Sequence, residues 1–62
     1  MFTYRLCTRK GTAVEFSYET YAEAYAMLED GVLNAVSMGA YAEITIEHDG
    51  KVINTVTVNR YA

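Results

Sequence analysis

The sequence predicts an α+β domain in which one four-stranded sheet is covered on one face by a single helix, in the order β-β-α-β-β. Three observations carry that prediction. Apolar and polar residues alternate from Phe2 to Cys7 and again from Ala13 to Tyr18, the period of a half-buried strand. The same alternation returns from Ala42 to Glu47. Between the two hairpins a capping box opens an Ala-rich run with apolar residues at helical spacing. Sixty-two residues suit one domain, residues 1–62. Of its 32 hydrophobic residues only twelve are Val, Ile or Leu, while eight are Ala and six are Tyr. A core of this kind is thin, because Ala contributes little area and Tyr keeps a polar end. It leaves no room for a deep catalytic cavity.

In the first hairpin Phe2, Tyr4 and Leu6 share one face with Val14, Phe16 and Tyr18. A three-residue loop of Arg9-Lys10-Gly11 sets Leu6 opposite Val14, Tyr4 opposite Phe16 and Phe2 opposite Tyr18. On the other face it sets Arg5 opposite Glu15, a favourable cross-strand pair.

The helix follows. Thr20 and Glu23 form the capping box, and Tyr21, Ala24, Tyr25, Leu28, Val32, Ala35 and Val36 form one stripe. Gly31 weakens the middle by about 1 kcal/mol relative to Ala, which invites a kink or a stop. Gly39 is the expected terminus. Met27, Leu33 and Met38 widen the apolar arc beyond what one small sheet requires.

In the second hairpin Ala42, Ile44 and Ile46 alternate with Glu43, Thr45 and Glu47. A three-residue loop of His48-Asp49-Gly50 sets Glu47 opposite Lys51, Ile46 opposite Val52 and Ala42 opposite Val56, with a bulge near Ile53-Asn54. It turns Asn54 inward. A two-residue Asp49-Gly50 loop is the alternative, pairing Ile46 with Ile53 but setting Val56 beside Glu43.

Strand order follows from direction. The first and last strands can pair in parallel at the centre, giving order 2-1-4-3 with a right-handed crossover. A fully antiparallel sheet is the alternative. In element order and length the whole chain resembles the β-grasp architecture, including the immunoglobulin-binding domains of streptococcal protein G. The resemblance rests on no shared motif, and no immunoglobulin-contact residue carries over.

Charge is segregated along the chain. All five bases (Arg5, Arg9, Lys10, Lys51 and Arg60) lie outside the stretch from Gly11 to Gly50, and all eight acids lie inside it. Glu19, Glu23, Glu29 and Asp30 leave the solvent side of the helix acidic over its first half. That face suits a basic protein partner. Scattered bases without a stripe argue against direct nucleic-acid binding. No run approaches the ~20 apolar residues that span a bilayer, and the start lacks a signal-peptide pattern, so no membrane association is expected. The lone Cys7 fits a reducing, cytoplasmic setting.

Catalytic chemistry is poorly served. His48 stands beside Asp49 and Glu47, but in a tight turn, with no second His or Cys at metal-ligand spacing. Cys7 lies diagonal to Arg5 and Arg9, which could make its thiol reactive. No glycine set forms a phosphate loop, so neither cofactor nor metal is expected. The function expected is therefore a small non-enzymatic protein-binding module, an inhibitor or adaptor of the kind encoded by phages and other mobile elements. Its contact residues would be Glu19, Glu23, Glu29 and Asp30 on the helix, or Tyr41, Ile53 and Tyr61 on the outer sheet face. A homodimeric subunit of a larger assembly is the alternative, and a redox or metal role at Cys7 or His48 the third.

Overall fold

A computed structural model describes all 62 residues, Met1–Ala62. Strands β1 (Phe2–Thr8) and β2 (Gly11–Tyr18) precede helix α1 (Tyr21–Met38), and β3 (Ala42–His48) and β4 (Lys51–Val58) follow it. Class and element order are those the periodicities predict. The sheet order is β2-β1-β3-β4, and every neighbouring pair is antiparallel. This is the antiparallel alternative, and the β-grasp-like order with β1 beside β4 is not adopted. Two physical reasons favour it. Ala42, Ile44 and Ile46 of β3 are buried, and apolar side chains of that kind stabilise most at the centre, where two strands and the helix enclose them. Asn54 of β4 points to the same layer, and at an edge its amide reaches the Tyr21 hydroxyl, to which Nδ2 donates at 3.0 Å. The observed order also flanks Arg5 with two acids. Its guanidinium donates to Glu15 on β2 at 3.2 Å and to Glu47 on β3 at 3.0 Å.

Both hairpins close with two-residue turns rather than the three-residue loops expected first, the second through the Asp49-Gly50 alternative. In the first, all the expected pairs from Phe2↔Tyr18 to Leu6↔Val14 form. The turn itself is only Arg9-Lys10, because Thr8 pairs with Gly11. A register shift between Leu6 and Cys7 leaves Ala13 as the extra residue. In the second, Asp49 (φ 53) and Gly50 (φ 75) both take left-handed backbone, the combination that matches the twist of a two-residue hairpin. His48 pairs with Lys51 and Glu47 with Val52, and a bulge at Ile53 then sets Ile46↔Asn54, Ile44↔Val56 and Ala42↔Val58. The predicted register was two residues short along most of the strand. Its expected Glu47–Lys51 pair does not form, and Glu47 turns to Arg5.

The helix runs unbroken through Gly31. At its start the Glu23 amide donates to Thr20 Oγ1 at 3.2 Å, and that hydroxyl donates to Glu23 Oε1 at 2.9 Å. At its end Gly39 is left-handed, and the Gly39 and Ala40 amides return to Val36 and Ala35. Asn59, itself at φ 52, then clamps this end, with Nδ2 donating to the carbonyls of Ala35 at 3.1 Å and Ala40 at 2.8 Å. Gly31 is buried against the sheet. A Cβ at that position would lie 2.7 Å from the Tyr4 hydroxyl.

The core is Tyr4, Ala24, Leu28, Ala35, Ala42, Ile44, Ile46 and Val58. Several residues that periodicity assigns to it are largely open, with Phe16 at 54% and Val36 at 58% exposure, while Val52, 53% exposed, pairs with Glu47 and so lies on the outer face of the sheet. For Phe16 and Val36 the reason is width. Four strands about 4.8 Å apart are broader than one helix of about 10 Å, so the helix covers β1 and β3 and leaves the inward side chains of both edges half-open.

Candidate protein-binding surface

The uncovered strip beside β4 is the most distinctive surface of the molecule. Tyr25, Leu28, Val32 and Leu33 from the helix and Val56 from β4 line an open groove of about 340 Å³. Leu33 is 69% exposed, and Val36 continues the apolar strip along the helix. Glu29 is the one charged side chain in the lining, and it has no ion-pair partner. The outer edge of β4 has no neighbouring strand, and from Val52 to Val58 it carries neither charge nor proline. Edges are commonly guarded by such residues, because unpaired amides and carbonyls recruit another strand. A smaller apolar pocket of about 200 Å³ lies on the other side of the helix, near Leu6, Met38 and Tyr41.

The residues singled out from sequence do not gather into one patch. Glu29 belongs to the β4 groove. Asp30 falls on the opposite flank, where its charge acts on Tyr4. Burial pushes the Tyr4 phenol above its ordinary value, and Asp30 and then Tyr18 add to that shift. Glu23 is engaged in the cap, and Glu19 precedes the helix. The acidic helix residues are therefore divided between two sides and one end.

The expected sheet trio is also dispersed. Ile53 sits in the β4 bulge, beside the Glu47 end of β3, whereas Tyr41 precedes the Ala42 end. Five residues of strand separate those levels, roughly 16 Å. Tyr41 carries the Arg9 guanidinium 4.0 Å above its ring, and Arg9 Nη2 donates to the carbonyls of Arg60 at 2.8 Å and Ala62 at 3.1 Å. Tyr61 is 95% exposed. Around Arg5 the outer face is polar and internally bonded, with Thr3 and Ser17 hydroxyls 3.0 Å apart. The signal for the groove lay in the width of the helical apolar arc, to which Leu33 belongs. Without the strand order, nothing placed that arc over an edge.

His48 stacks on Phe2 with ring centroids 4.1 Å apart, its Nδ1 2.9 Å from the Met1 carbonyl and its Nε2 3.4 Å from Asp49. Cys7 Sγ lies 3.6 Å from the Thr12 hydroxyl. No three His, Cys, Asp or Glu side chains are placed to hold a metal ion, and no helix is long and apolar enough to cross a membrane. Comparison with protein-family models, with curated proteins and with solved structures finds no match to this chain.

Proposed function

We propose that this chain is a small non-enzymatic protein-binding module, an inhibitor or adaptor that engages its partner through the groove between α1 and β4. One observation carries the reading, namely an open apolar groove that borders a strand edge that is unpaired and, from Val52 to Val58, uncharged. Apolar side chains beside a concave strip are what a partner's aromatic or aliphatic anchor fills. The acidic helix start and the tyrosine-bearing end of the sheet are less suited to this role, because their residues are dispersed or engaged within the fold.

Selection of a random peptide library against the chain tests the proposal. Enriched peptides should compete with one another and lose binding to Leu33→Ser, a change at a side chain that is mostly exposed and leaves folding intact. If no sequence is enriched, or if Leu33→Ser binds as the parent does, the groove reading fails. A homodimer is the second reading, favoured by the same uncharged edge, and a monomer by light scattering at high concentration removes it.

A further inference from the structure

Resting on that reading, we infer that the partner binds as an added strand along β4, and that the segment it supplies is extended, apolar at alternate positions and basic. The geometry couples two features. The unpaired backbone of β4 offers main-chain hydrogen bonds to a fifth strand, and the groove lies on the helix side of that same edge. A strand placed there sends every second side chain toward the helix layer, about 6.7 Å apart. A residue opposite Val56 enters the groove between Tyr25, Val32 and Leu33, and the next inward residue toward the end of β4 faces the level of Val36. Backbone pairing supplies affinity and the alternate side chains supply selectivity.

Charge decides what kind of segment this is. Glu29 is the single charged group in the lining and is unpaired, and the chain as a whole carries a net charge of -3. A lysine or arginine on the inward side of the added strand completes Glu29, whereas an acidic residue there would meet like charge.

The test uses two acetylated, amidated peptides against the full chain. One is Thr-Val-Thr-Phe-Thr-Lys-Thr, and the other has Glu in place of Lys. Amide chemical shifts of the labelled protein report the site, and hydrogen exchange reports pairing of the β4 edge. The lysine peptide should bind saturably, perturb residues 54–58 and 25–36, and slow exchange of the solvent-facing amides of β4. The glutamate peptide should bind at least about tenfold more weakly at low salt, a gap that shrinks as salt is raised. Glu29→Gln, a substitution at an exposed site, should bring the two peptides to within about twofold of each other. Equal binding of both peptides, or perturbations without protection of β4, would overturn the inference while leaving a binding groove in place. Perturbations confined to another face would overturn both the inference and the groove. A dimer joined through β4 would overturn the inference as well, since the edge would then belong to a second copy.

Discussion

Replacing Gly31 with alanine should destabilise this protein, although the substitution is ordinarily favourable inside a helix. On propensity alone, alanine stabilises a helix interior by about 1 kcal/mol relative to glycine. Here the new Cβ would lie 2.7 Å from the Tyr4 hydroxyl and 3.2 Å from Ile44 Cδ1, with Leu6 Cδ1 in ordinary contact at 3.4 Å. Carbon and oxygen normally meet no closer than about 3.3 Å, so the Tyr4 ring or the helix must give by roughly 0.6 Å. Tyr4 is 3% exposed on a central strand and Ile44 is wholly buried, which leaves neither room to move. Overpacking of this kind costs about 1–3 kcal/mol. Set against the propensity gain, the net loss is about 1 kcal/mol, or roughly 4–8 °C in Tm for a domain of this size. The diagnostic partner is Tyr4→Phe, which removes the closest atom. In that background Gly31→Ala should be neutral or stabilising, giving a coupling of about 1–2 kcal/mol in a urea-denaturation double-mutant cycle. If Gly31→Ala has the same effect in both backgrounds, or stabilises the parent, the close approach at the Tyr4 hydroxyl does not explain the glycine.

Three further outcomes follow from contacts on other elements. Asn59→Gly keeps the left-handed backbone but removes both bonds to the end of the helix, and should cost about 1–2 kcal/mol with faster exchange of the Gly39 and Ala40 amides; unchanged exchange would show that the clamp is idle. Arg5→Met leaves Glu15 and Glu47 without their shared cation, so Tm should fall at low ionic strength and recover in part at about 1 M salt; a loss independent of salt would point to packing instead. Because burial raises the Tyr4 phenol in the folded state, the chain holds that proton more tightly folded than unfolded. Its contribution is then complete below about pH 10 and is lost as pH rises through the folded value. Urea midpoints of the parent should fall more steeply across that range than those of Tyr4→Phe, and parallel profiles would refute the assignment.

Much of this fold could be read from local pattern. Period-two alternation places Leu6 opposite Val14, and the Thr20–Glu23 capping box and the Gly39 stop bound a helix that occupies Tyr21–Met38. These features depend on residues within a few positions of one another, which is why a sequence displays them. The bulge near Ile53 was legible from the conflict between Asn54 and the apolar register, whereas the one at Ala13 was not. Each lets a tight turn and an apolar register coexist, so the spacing between paired residues does not report the turn length.

What the sequence determined by itself was the class, the element order and the partition of each strand into two faces. The tertiary structure decided which strand sits beside which, and everything functional depends on that. Placing β3 beside β1 put Ile44 and Ile46 under the helix, gave Arg5 two acids and left β4 as a bare edge. The same choice scattered Tyr41, Ile53 and Tyr61 and divided the acids of the helix between its flanks. Strand order is set by burial summed over the whole sheet, a long-range quantity, and no periodicity along the chain encodes it. Leu33 shows the consequence. Its place on the helical arc was legible at once, but only the position of β4 turns it into the wall of a groove.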